Sequence, residues 1–282
     1  MVFSVVWKNK IRMILRFLQY YRRATTVYTL HSPFLYHLAD SLLEDKRNFY
    51  PFVEIEVLRK KALENDQKIT FEDLGAGNSE TGGNKIVTRK ISQLAKTAVS
   101  PAAKCRYLFR MVLWRKPGTM LEIGTSLGLA TLYQHAAARN ATMITLEGIP
   151  AIAAIARVHF DIFHKTNISQ ITGHFDQTLP QALSTLEKLD YAFIDGNHRK
   201  AAVLHYFNLC LEKSDENTML VIDDIYWSDE MSEAWETIRN HPSVSCTVDL
   251  FYFGIVLFTR VEIPQKHNTW IPARYKPWIT GL

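Results

Sequence analysis

Up to about residue 115 the apolar positions recur at helical spacing. One run spans 5–23, a second is opened by His31-Ser32-Pro33 and reaches about 44, and a third starts at Pro51 and reaches about 64. From Thr119 onward short apolar runs alternate with helix-length segments, which predicts strands near 119–123, 142–146, 168–172, 190–195 and 218–223. After a last helix containing Met231, Trp235 and Ile238, the runs 244–250 and 254–259 are joined through Phe251-Tyr252-Phe253 and read as an antiparallel hairpin. Repeated strand-helix units imply a parallel sheet covered on both faces, with ligands at the carboxyl ends of the strands. The expected organisation is a helical N-terminal extension over 1–99, an α/β domain over 100–260 and a tail over 261–282.

Composition narrows the class. A chain of 282 residues with 47% apolar content can bury a full core, as one large domain with an extension. No apolar stretch has the length of a membrane span, and no small-residue cleavage site follows an apolar N-terminal stretch, so a cytoplasmic location is expected. Cys105, Cys210 and Cys246 are odd in number and widely spaced, which argues for buried thiols rather than a disulfide framework or zinc site.

The charge is local. Lys8, Lys10, Arg12, Arg16, Arg22 and Arg23 precede the first acidic residue, Asp40, so this arm carries +6 of a net +5 and the remainder sums to −1. Trp7, Ile11, Ile14, Phe17, Leu18 and Tyr21 interleave with these charges at the spacing of an amphipathic helix. Three readings stay open for residues 1–23: a helix packed on its own domain with a solvated basic side, contact with an anionic membrane surface, or contact with RNA. Association as a homodimer is a further option.

The chemistry concentrates at strand ends. Met120-Leu121-Glu122-Ile123-Gly124-Thr125-Ser126-Leu127-Gly128 reads as an apolar strand with a carboxylate, then a glycine-hinged turn into a helix whose first N–H groups are free for a polar ligand. This stretch resembles motif I of the class I S-adenosylmethionine-dependent methyltransferases. The resemblance covers roughly 100–260 and implies a doubly wound, mostly parallel, seven-stranded Rossmann-like sheet with a terminal antiparallel hairpin. Glu122, Gly124, Thr125, Ser126 and Gly128 then form the first cofactor loop. Glu147, followed by Gly148, ends the second strand 25 positions after Glu122, where a carboxylate can accept both ribose hydroxyls; an exposed acid in a turn is the plainer reading. Gly173, His174 and Phe175 fall where the family holds adenine with backbone amides and an apolar contact, Phe175 supplying that contact. Asp195 follows the fourth strand.

Asp195, Asp223 and Asp224 end adjacent strands, close enough for three carboxylates to share one hard cation such as Mg2+. The pattern is similar to the metal-dependent O-methyltransferases of the catechol and caffeoyl-coenzyme A type, with Asp224 in place of an asparagine. In that family a lysine three residues past the strand-four acid is the general base, and here the position is His198, whose imidazole suits proton removal from a hydroxyl. The plainer alternatives are that Asp223 and Asp224 cap the next segment, and that Asn197 and His198 open a helix. A second glycine-rich loop, Gly75 to Gly83, is read as a decoy, either a lid or a turn, followed by a basic helical segment to about Ala98. Tyr226 and Trp227 are candidates for an aromatic acceptor wall, or for core and lid contacts.

The function implied is O-methylation of a small hydroxylated acceptor from S-adenosylmethionine. The alternatives are a nucleic-acid (ribose or RNA) methyltransferase using the basic arm, a non-catalytic adenosyl-ligand binding module, and a nicotinamide-dependent oxidoreductase. The last would need a full glycine fingerprint, which Ser126 interrupts.

Overall fold

The computed structural model describes residues 2–73, 85–165 and 167–279. Helices α1 (Val2–Arg23), α2 (Pro33–Ala39) and α3 (Tyr50–Glu64) come first, then strands β1 (Lys68–Asp73) and β2 (Lys85–Lys90) and helices α4 (Ile91–Thr97) and α5 (Ala102–Arg115). The alternating part follows as β3 (Thr119–Ile123), α6 (Leu129–Ala137), β4 (Thr142–Glu147), α7 (Pro150–Ile162), β5 (Ile168–Thr172), α8 (Phe175–Ser184) and β6 (Leu189–Ile194). It continues through α9 (Lys200–Leu211), β7 (Ser214–Asp223), α10 (Asp229–Arg239), β8 (Cys246–Asp249), β9 (Phe253–Leu257) and β10 (His267–Thr269). The chain divides into two compact units, one of 46–197 with 208–215, the other of 1–45, 198–207 and 216–282.

In the first unit the parallel strands run in the order β6-β3-β4-β5. All six residues of β6 and all but the first of β3 and β4 are buried, as strands covered on both faces require, which is why these segments read as continuous apolar runs. Helix boundaries follow local chemistry: Pro150 begins α7, where its missing N–H costs nothing, and Lys116 ends α5 in a left-handed conformation. The segment expected to be helical after Gly83 is a strand over 85–90: β1 and β2 pair antiparallel from Lys68↔Lys90 to Asp73↔Lys85. Ile86, Val87 and Thr88 are three consecutive β-branched residues flanked by basic ones, a composition that favours a strand until α4 begins at Ile91. The glycine-rich loop itself lies outside the described residues.

In the second unit β9 pairs antiparallel with both β7 and β8, giving the hairpin expected from the sequence. One strand was not expected. β10 adds to β8 in parallel, which makes four strands here and eight in the two sets rather than seven. Only three residues long and without apolar alternation, it exists through its pairing. The tail is tied to the N-terminal segment: Thr25 bonds to Thr269 and Ile271 through its main chain, the Tyr20 hydroxyl donates to the Trp270 carbonyl, and Lys276 donates to the Ala24 carbonyl at 2.7 Å. Trp270 is fully buried.

The C-terminal half of α1 packs on its own unit, the first of the three readings for this arm. Tyr20 and Ala24 form a buried cluster with Phe251 and Ile271, and Arg12 and Arg16 both ion-pair with Asp229. The three cysteines are buried free thiols, each pushed by burial up to about 12. No helix among the described residues is long and apolar enough to cross a membrane.

Candidate functional site

Register in the first unit brings the strand ends level. Ile123 pairs with Leu146 and with Ile194, and Glu147 pairs with Thr172, so Gly124, Glu147, Gly173 and Asp195 emerge from one edge of the sheet. Main-chain bonds extend the ladder past the strands: Gly124 and Thr125 donate to the Leu146 carbonyl, Gly173 to that of Glu147, and Asp195 to that of Ile123, all at 2.9–3.0 Å. These four bonds hold the tips together without side chains, leaving the side chains available for chemistry.

The turn after β3 needs unusual backbone. Gly124, Ser126 and Gly128 have φ of 105°, 49° and 77°. A Cβ on Gly124 would stand 2.4 Å from the Asp195 carbonyl oxygen, so only glycine lets the first tip lie against the last. Ser126 is an ordinary L-residue in a left-handed conformation, a strain that persists only where surrounding bonds hold it. Its N–H donates to Glu147 Oε2 at 2.8 Å, and its hydroxyl to the Ala98 carbonyl at 2.7 Å.

Glu147 closes the group from β4. Its second oxygen accepts from the Ile149 N–H at 3.0 Å, and the Gly148 N–H also bonds to it. Burial raises its pKa and these three N–H groups oppose the rise. At the third tip, Phe175 begins α8 half-buried; a Cβ on Gly196 would lie 2.6 Å from its ring, so the ring rests on the main chain beyond Asp195. His174 is exposed, and its carbonyl accepts from Gln177 and Thr178 as the helix starts. Asp195 is half-buried.

Glu122, expected in the first cofactor loop, has a carboxylate with no exposed surface that accepts from the hydroxyls of Thr131 and Thr145 and, at 2.7 Å, from Gln134 Nε2. Burial pushes it up to about 7, against three donors that pull it down. Its side chain follows the strand period inward and fastens α6 and β4 behind the turn, so it shapes the loop rather than facing outward. A signal for this was present: Thr131 and Gln134 are polar positions three apart on the mostly buried helix α6.

The remaining residues lie in the other unit. Asp223 is buried at the end of β7, and Asp224 follows in a left-handed conformation, its N–H donating to the Tyr252 carbonyl at 2.7 Å. His198 is half-buried ahead of α9. Tyr226 donates its hydroxyl to Asp249 at 2.5 Å, a core contact, whereas Trp227 is exposed. Among the described residues no three or more His, Cys, Asp or Glu side chains are grouped to hold a metal ion.

Known proteins share the fold. Residues 121–225 match the family described as a methyltransferase domain. An O-methyltransferase of Bacillus cereus in complex with SAH is 18% identical over 75% of this chain and 92% of that one, with a TM-score of 0.50. The SAH-bound methyltransferase of Podospora anserina is 17% identical over 76% and 98%, with a TM-score of 0.52. An O-methyltransferase of Streptomyces achromogenes involved in tomaymycin synthesis, in complex with SAM, is 19% identical over 57% and 82%, with a TM-score of 0.50. No curated protein matches the chain. Residues 121–225 thus match a methyltransferase-domain model, and the chain shares its fold with these solved methyltransferases.

Proposed function

We propose that this protein transfers a methyl group from S-adenosylmethionine to the oxygen of a small hydroxylated acceptor. The observation that carries the reading is the joining of Glu147 to the Gly124–Gly128 turn at the shared strand edge. The donor set there suits the cofactor's parts. A carboxylate at the end of the second strand accepts from a vicinal diol, main-chain N–H groups at a helix start meet polar atoms, and the Phe175 ring offers an apolar face to a base.

Bound there, the cofactor supplies a methyl group on positively charged sulfur. The chain's own residues position and deprotonate. Glu147 fixes the ribose, the turn from Gly124 to Gly128 and the segment Gly173-His174-Phe175 set the orientation, and Asp195 lines the site. His198 accepts the proton of the acceptor hydroxyl. Methyl transfer by direct displacement needs no covalent enzyme intermediate, so alignment and proton removal are the protein's main contributions. Whether a cation such as Mg2+ assists the transfer is decided by titration. The reading as a whole is tested by calorimetry with S-adenosylhomocysteine: saturable binding is expected, and its absence removes the assignment.

A further inference from the structure

Helix α1 has two apolar faces, and among the described residues only one is packed. Tyr20 packs against Phe251 with ring centroids 5.3 Å apart, Phe17 meets the same ring edge-on at 5.1 Å, and Met13 joins that cluster. On the other side Ile11, Ile14, Leu15 and Leu18 follow one another at i, i+3, i+4 and i+7 and therefore share a stripe. They are 51%, 58%, 54% and 51% exposed. Four aliphatic side chains held in water along one face of a helix are unusual for a surface that has no partner.

The surrounding charge says what covers them. No acidic residue occurs before Asp40, and six basic residues do. Asp229 takes up Arg12 and Arg16 on the packed side. Lys8 and Lys10 by sequence, with Arg22 and Arg23 at the helix end, carry the remaining positive charge. A helix of 22 residues is about 33 Å long, enough to lie along a surface, and it is too charged to cross a bilayer.

We infer that α1 is an in-plane membrane anchor whose Ile11-Ile14-Leu15-Leu18 stripe enters an anionic lipid surface while the basic residues meet the headgroups. Aliphatic side chains gain by leaving water for the acyl boundary, and the cationic residues beside them are drawn to negative lipid. A second copy of the chain fits worse, because pairing the stripes would bring two strongly basic arms together. RNA fits worse too: phosphates would meet the basic groups, but the aliphatic stripe offers no ring for bases to stack on. The inference is independent of the methyl-transfer reading, since it rests on none of the strand-tip residues.

The test is flotation of the full chain with phosphatidylcholine–phosphatidylserine vesicles, with phosphatidylcholine vesicles alone, and with a single-stranded RNA in a separate shift assay. Retention on the anionic vesicles is expected, weakened by salt, and reduced more than about tenfold by Leu18→Glu at an exposed position. Should Leu18→Glu lower the melting temperature, Ile14→Ser combined with Leu18→Ser provides the same comparison. Equal retention of wild type and variant, binding to RNA with none to vesicles, or a dimer in sedimentation that the variant abolishes without vesicle retention would each overturn it.

Discussion

The main-chain N–H of Ser126 donates to the Glu147 carboxylate across 2.8 Å, joining the turn after β3 to the last residue of β4. Each is constrained by the other. Ser126 holds a left-handed backbone, and Glu147, although nearly buried, is kept in place by N–H groups on both sides of it. In the proposed function, ligand recognition and loop conformation are coupled through this single carboxylate.

Replacing Glu147 by Ala should weaken S-adenosylhomocysteine binding by roughly 10- to 100-fold, the worth of charge-assisted bonds to a diol. Calorimetry reads it directly. Unchanged affinity would mean that the carboxylate serves only the turn.

Glu122 gives a pH signature. It ionises near 4.5 when unfolded and is pushed by burial up to about 7 in the fold. Between those values the folded chain keeps a proton that the unfolded chain releases, so this group's contribution to stability falls as pH rises through the window. Glu122→Gln removes the dependence. Relative to wild type, the variant should gain about 2–3 kcal/mol on going from about pH 4 to about pH 8, measured by denaturant unfolding. A pH-independent difference would show that the carboxylate is ionised in both states.

Gly124→Ala places a methyl group against the Asp195 carbonyl and forces φ of 105° on a residue with a side chain. A loss of about 2–4 kcal/mol is expected in unfolding experiments, with weaker cofactor binding. Full stability would mean that the two tips part readily.

His198→Gln should lower kcat by about 10²- to 10⁴-fold while leaving S-adenosylhomocysteine affinity intact, since a base acts on the acceptor alone. A matching loss of cofactor affinity would assign His198 to binding.

Dependence on a cation separates the two forms of the mechanism. Because no three carboxylates are grouped to hold a cation among the described residues, methyl transfer should continue unchanged after chelation; stimulation by magnesium that Asp224→Asn, which tolerates the left-handed backbone at that position, shifts would establish the metal-assisted form. Transfer unaffected by chelator leaves the metal-free form.

The sequence by itself determined the alternating core. Strands buried on both faces must be apolar along their whole length, so β3, β4 and β6 announced themselves, and a glycine turn after β3 with an acid after β4 marked the candidate site. Where the carboxylates go depends on folding. Glu122 and Glu147 look alike in the chain, each an acid at a strand end, but pleat direction and the donors on α6 send the first into the core and leave the second at the turn. Likewise β2 was hidden by its basic residues, and β10 by its brevity, because each is held by pairing with a distant or already formed strand rather than by a pattern of its own. Local patterning reports what a segment must bury; which partners satisfy its polar groups depends on residues that meet only after folding.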